Sequence, residues 1–151
     1  VKDISEGDFN LHNDFLNKLM GINPFIKSYK RIADIISYQQ KILSEYKAAF
    51  NNFKSSGSFT IEEIAYLSNV YNNLFNKSLK NLDELLMVIT AGTMRMSDDE
   101  RLAAIEKIFT DMQDKLSFLR DFNNNTGLLS MQRSRENNEV KSSRKLNGIT
   151  K

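Results

Sequence analysis

The chain has 151 residues, with one proline, six glycines, ten phenylalanines and no cysteine. An apolar fraction of 40% suffices for one domain with a hydrophobic core, and so few proline and glycine residues favour long helices over a sheet with many turns. The absence of cysteine excludes disulfide bonds and thiolate metal sites. A formal net charge of +2 is too small to indicate a nucleic-acid partner, and no run of eighteen apolar residues predicts a membrane span.

Residues 1–22 form an N-terminal segment in which we predict a short amphipathic helix. Gly21 is expected to end it. Because the sequence begins with Val1 rather than methionine, we expect it to be a processed or trimmed form of its gene product. The apolar positions of the predicted helix are Phe9, Leu11, Phe15, Leu16, Leu19 and Met20.

The first long helix is predicted at residues 24–53. Asn23 is a suitable N-cap, and Pro24 at the first helical position lacks only an N–H that would be unpaired there. Gln39 interrupts the apolar stripe, where it either fixes the register by hydrogen bonding across the bundle or lies half exposed. The apolar positions, at steps of three, four and seven, are Phe25, Tyr29, Ile32, Ile36, Leu43, Tyr46, Phe50 and Phe53.

The second helix is predicted at residues 60–92 and the third at residues 97–122. Each begins with a capping box, Thr60 with Glu63 and Ser97 with Glu100. Heptad stripes of apolar residues follow both capping boxes. The polar residues 123–127, which close with a glycine, are expected to end the third helix.

These stripes predict an all-α fold, in which residues 23–126 form an elongated antiparallel three-helix bundle without β-sheet. The short N-terminal helix precedes the bundle and a basic C-terminal tail follows it. The residues predicted to be buried in the core are Ile32, Ile36, Leu43, Leu67, Leu74, Leu85, Ile105, Phe109 and Leu116.

The tail, residues 127–151, carries six lysine and arginine residues against two glutamates. Leu128, Leu129 and Met131 are expected to anchor its start, but too few apolar residues follow for it to pack along its full length. The tail is therefore either helical or disordered, and either a solvated end or a docking surface for an acidic protein or anionic headgroups. The candidate partner-binding residues are Arg133, Arg135, Arg144 and Lys145.

Catalytic chemistry has little support in this sequence. The single histidine, His12, cannot form a histidine-based zinc site alone, and no nucleophile motif accompanies it. The paired acids at positions 62–63 and 98–100 are explained by their place in the first turn of a helix. We therefore predict a protein that is not an enzyme, with no metal, no cofactor and no small-molecule substrate.

The connection before the third helix contains Met94, Arg95 and Met96. Its methionines either pack against the end of the bundle or form an adaptable protein-binding surface.

Six successive segments carry a resemblance to a known family. They read YQQKILSEYKAAF from residue 38, FTIEEIAYLSNVYNNLF from 59, SLKNLDELLMVIT from 78, MSDDERLAAIEKI from 96, FNNNTGLLSMQRSRENNEV from 122 and RKLNGI from 144. In this order they resemble the TraI-like transfer proteins of conjugative transposons of Gram-negative bacteria. The resemblance covers roughly residues 30–149, and residues 1–29 match nothing in the family.

The resemblance implies a periplasmic component of a conjugative type IV secretion system, made with a secretory signal and similar to minor-pilus, TrbJ-like subunits. It would act through contacts with other proteins of the transfer apparatus, and the family offers no catalytic residues to carry over. A different reading is a cytoplasmic helical adaptor or regulator that binds an acidic partner through the basic tail.

Overall fold

The computed structural model describes residues 30–92 and 94–146, which form three α-helices. They are α1 (Lys30–Ser55), α2 (Ile61–Thr90) and α3 (Asp98–Leu146). The described ranges contain no strand, which confirms the predicted all-α class. The predicted N-terminal helix and residues 24–29 of the first predicted helix lie outside the described residues.

Both predicted capping boxes are confirmed. The Glu63 N–H donates to Thr60 Oγ1 over 3.1 Å, and the Thr60 N–H donates to Glu63 Oε1 over 2.9 Å. Ser97 and Glu100 make the same reciprocal pair at 3.2 and 3.3 Å. Each box satisfies backbone donors that the first turn of a helix leaves unpaired, which is why α2 and α3 begin where the sequence predicts.

The three helices form a helical bundle around one hydrophobic core. All nine predicted core residues are buried, none being more than 9% exposed. Tyr46 of α1 stacks on Tyr71 of α2, with ring centroids 4.9 Å apart. The stripes therefore identified the inward faces of all three helices.

Contacts between residues of different helices show whether the residue numbers of two helices increase in the same or in opposite order. Tyr46 donates to Asn72 Oδ1 over 2.8 Å, whereas the later Phe53 packs against the earlier Phe59. The pairs between α1 and α2 therefore run in opposite sequence order. Those between α1 and α3 run in the same order, because Arg31 pairs with Glu106 and Glu45 with Arg120.

Several polar residues are buried in the core. Gln39 is fully buried, and its two amide atoms have no hydrogen-bond partner among the described residues. Ser78 and Asn81 of α2 are buried as well. Gln39 thus lies in the core rather than at a half-exposed face, and no hydrogen bond across the bundle is seen for it.

The third helix is longer than predicted. It continues through residues 123–127 as far as Leu146, for 49 residues. At about 1.5 Å per residue, α3 is roughly 73 Å long. The prediction that the polar residues 123–127 end the helix was wrong, and the contacts described next explain why.

Candidate protein-binding surface on the third helix

Contacts from α2 hold α3 helical through the polar segment. The buried Tyr71 hydroxyl donates to Asn123 Oδ1 over 2.6 Å, and the Tyr71 ring meets Phe122 edge-on at 5.5 Å. Burial raises the pKa of the Tyr71 hydroxyl, so it stays a donor at neutral pH. Thr126, one turn further on, is also buried. This packing outweighs the low helix propensity of asparagine and glycine.

Arg133 ties the next turns of α3 to the connection between α1 and α2. Its guanidinium lies 2.7 Å from Glu63 Oε1, donates to the Ser58 carbonyl over 3.1 Å and sits 5.5 Å from the centre of the Phe59 ring. Arg133 was predicted to bind a partner, but the structure places it against its own chain. We therefore assign it a structural role and separate it from the other three candidates.

The apolar residues that were predicted to anchor the start of the tail are exposed. Leu128 and Met131 are 64% and 62% exposed, and Leu129 is 38% exposed. Arg133 makes the attachment instead, together with Ser58, whose hydroxyl donates to the Ser130 carbonyl over 3.4 Å and lies 3.3 Å from Ser134 Oγ. The apolar residues at the start of the tail are thus left as exposed surface.

Glu63 takes part both in the capping box of α2 and in the ion pair with Arg133. The hydrogen bond from Arg133 and the one from the Thr60 N–H lower the pKa of the Glu63 carboxyl to about 2. The same pairing raises the pKa of Arg133. Protonation of this one carboxyl would weaken both the start of α2 and the attachment of α3.

This double role predicts that the attachment of α3 to the start of α2 is weakened by acid. Because the pKa of Glu63 is depressed from its usual 4.5 to about 2, its contribution is fully present above pH 4.5 and is lost as the pH falls toward 2. Glu63→Gln keeps the cap acceptor but removes the charge. Between pH 5 and 2, the variant should lose less stability than the wild type in denaturant titrations. Glu62→Gln, at the exposed neighbouring position, should keep the wild-type dependence, and equal slopes for wild type and Glu63→Gln would refute the assignment.

Beyond Ser134, the last residue in contact with Ser58, the helix projects from the bundle. We call residues 135–146 the projecting segment, and all twelve of them are exposed. Arg135, Arg144 and Lys145 make no ion pair within the part of the chain that the structure describes. Val140 and Leu146, 51% and 88% exposed, lie among the charged residues. The segment is roughly 18 Å of solvated basic helix with some apolar surface.

The described helices were also compared with the requirements of a metal site and of a membrane span. Within residues 30–92 and 94–146, no group of three histidine, cysteine or carboxylate side chains could hold a metal ion. None of the described helices combines the length and the apolar character needed to cross a bilayer. The ion pair of Arg120 with Glu45, in which two nitrogens bind the two carboxylate oxygens at 2.9 and 2.8 Å, joins α3 to α1 and is structural.

One of the features described above could have been found from the sequence and two could not. The basic residues of the projecting segment were visible as a charge asymmetry. The Tyr71–Asn123 and Arg133–Glu63 contacts join residues 52 and 70 positions apart, for which a single sequence carries no signal. Comparison with protein-family models, with curated proteins and with solved structures found no match. The resemblance to the TraI-like transfer proteins therefore rests on the six sequence segments that carry it.

Proposed function

We propose that this chain is a non-catalytic structural subunit of a conjugative type IV secretion apparatus, which acts in the periplasm by binding other proteins. The observation that carries the proposal is the continuation of α3 past the core as an exposed basic helix. A solvated helix held at a fixed place on a rigid bundle suits recognition of another protein.

The finer architecture that we propose is an elongated antiparallel three-helix bundle with α1 and α3 parallel to each other. The opposite order of the α1–α2 pairs and the common order of the α1–α3 pairs support it. In such a bundle the turn between α1 and α2 lies at the end from which α3 projects, as the Arg133–Glu63 pair requires. The bundle then serves as a spacer with its contact surface at one end.

The charge of the projecting segment indicates the chemistry of the partner. Four basic residues, Arg135, Lys141, Arg144 and Lys145, outnumber Glu136 and Glu139. Exposed charges of this kind guide association and register more than they stabilise the fold. The partner surface should therefore be acidic, with apolar patches that can meet Val140 or Leu146.

The conjugative setting and the periplasmic location rest on the resemblance to the TraI-like transfer proteins. A cytoplasmic adaptor with the same basic helix is the alternative. The start of the intact gene separates the two, because a secretory signal would direct the chain to the periplasm.

Charge reversal of the projecting segment tests the proposal. The tail variant, with Arg135→Glu, Arg144→Glu and Lys145→Glu, should leave the bundle's stability nearly unchanged because the three side chains are exposed. It should lower both the transfer frequency and the amount of envelope protein that co-purifies from mating-competent cells. The intact gene should be used for both measurements.

A matched control reverses three lysines elsewhere on the bundle. Lys41→Glu, Lys77→Glu and Lys80→Glu change the net charge by the same amount at exposed positions of α1 and α2. This control should transfer DNA at the wild-type rate. If the tail variant also did so, the projecting segment would be only a solvated end of the helix.

A further inference from the structure

Every seventh residue of α3 from position 114 to position 142 is exposed. Positions seven apart drift by only about 20° around a helix, so these residues lie on one side of α3. We call them the outer stripe: Asp114, Asp121, Leu128, Arg135 and Ser142. Buried residues with the same spacing precede them by two positions, or about 200° of rotation, and so face the core on the opposite side. These buried residues are Ile105, Met112, Leu119 and Thr126.

The middle of the outer stripe is apolar and open. Leu128 and, about one turn further on, Met131 are 64% and 62% exposed. An open groove of about 750 Å³ lies beside them, and its lining includes Phe53 of α1 and Gly127. A Cβ atom at Gly127 would meet no other atom within 4 Å, so packing within the chain does not require a glycine there. A glycine at this point leaves room for the close approach of another helix.

The charges of the outer stripe are arranged symmetrically about Leu128. Asp121 lies seven residues before Leu128, and Arg135 lies seven residues after it. Neither takes part in an ion pair within residues 30–92 and 94–146. They cannot pair with each other, because fourteen residues of helix separate them by roughly 21 Å. Both charges therefore remain available to another molecule.

This symmetry makes the outer stripe complementary to itself. When two copies of α3 cross antiparallel about a two-fold axis at Leu128, each residue before Leu128 faces the residue equally far after Leu128 in the other copy. Asp121 then faces Arg135 at two equivalent places. Asp114 faces Ser142, so no like charges of the stripe are opposed. A parallel alignment would instead place each charge against its own counterpart, which is repulsive. The charges thus select a second copy in the antiparallel orientation.

We propose that two copies of this chain pair antiparallel through the outer stripe of α3, with Leu128 on the two-fold axis. Leu128 packs on Leu128 of the second copy, and Met131 of the second copy lies against the groove beside Gly127. The two pairs of Asp121 with Arg135 flank this apolar centre. The contact is small, so the pair forms above about 100 μM and dissociates at about 5 μM, the concentration of an unfolding titration. The inference goes beyond the proposed function, since the pairing requires no envelope protein.

Sedimentation equilibrium of the whole chain tests the two charge pairs. The mass of the wild type should rise from 17.4 kDa at about 5 μM toward twice that value above about 100 μM. Asp121→Lys and Arg135→Glu each oppose like charges at both places and should weaken the pairing at least about tenfold. The double variant exchanges the charges and should associate like the wild type. Lys141→Glu, exposed on another side of α3, is the matched control and should also associate like the wild type.

Cysteine cross-linking tests the orientation, because the chain contains no cysteine of its own. In an antiparallel pair, only a residue on the two-fold axis meets its own counterpart. Leu128→Cys should therefore form a disulfide-linked dimer on mild oxidation. Ser117→Cys lies on the same side of α3 eleven residues earlier, so its two copies would be roughly 33 Å apart and should not cross-link. A parallel pair would cross-link both variants.

The pairing and the proposed function fail in different ways. Asp121→Lys lies outside the projecting segment, so a transfer defect of the tail variant that Asp121→Lys does not share belongs to an envelope partner. Wild-type transfer by the tail variant would refute the role of the projecting segment and leave the pairing standing. A wild type of 17.4 kDa at every concentration, a monomeric double variant, or cross-linking of Ser117→Cys overturns the inference.

Discussion

Replacing Leu116 by alanine is expected to lower the free energy of unfolding by about 2–5 kcal/mol, as for other buried leucines. Leu116 is only 5% exposed and belongs to the core shared by the three helices. The loss combines the transfer free energy of the removed methyl groups with the cost of the cavity left behind. Denaturant titration followed by the helical circular dichroism signal measures it.

Leu128→Ala provides the matched control on the same helix. Leu128 is 64% exposed, so the same chemical change removes little buried surface and should alter the stability by less than about 0.5 kcal/mol. Alanine is also the better helix former of the two. Equal losses at the two positions would mean that the inward face of α3 has been misassigned.

Replacing Gln39 by leucine is expected to raise the free energy of unfolding by about 1–3 kcal/mol. A buried amide without partners retains the cost of leaving water, and leucine of similar volume removes that cost. Both amide atoms of Gln39 are buried without a hydrogen bond among the described residues. Thermal or denaturant unfolding of the purified chain gives the change.

The neighbouring Gln40 is exposed and supplies the control. Gln40→Leu should leave the stability within about 0.5 kcal/mol of the wild type. A stability loss in Gln39→Leu, with Gln40→Leu unchanged, would show that the amide makes a favourable contact. Unchanged stability in Gln39→Leu would show that the buried amide costs the fold nothing.

The helices and their buried faces were predictable because they depend on short-range patterns. Ile32, Ile36 and Leu43 recur at helical spacing, and Thr60 with Glu63 marks a helix start within four residues. A stripe of this kind can be recognised in the sequence without knowing which residues it packs against. It identifies the side of a helix that must be covered, and three such stripes suffice for the all-α class.

The end of α3 and the role of Arg133 were not predictable, because both depend on residues distant in sequence. Asn123 and Gly127 have low helix propensity, and only the contact with Tyr71 shows why the helix continues past them. Arg133 resembles the other basic residues of the tail until Glu63 is placed beside it. The charge pattern located the candidate surface. Only the packing shows that Arg133 contacts its own chain, whereas Arg135, Arg144 and Lys145 are exposed.

The continuity of α3 through Gly127 also affects how tightly its far end can bind. Fixing the backbone of a disordered residue costs about 1–2 kcal/mol, so ordering a disordered tail of twelve residues would consume much of the energy gained at a small interface. In this chain the projecting segment is already helical and is tied to the bundle by Arg133. Association then restricts mainly side chains, so a modest contact area can support a specific complex of defined orientation.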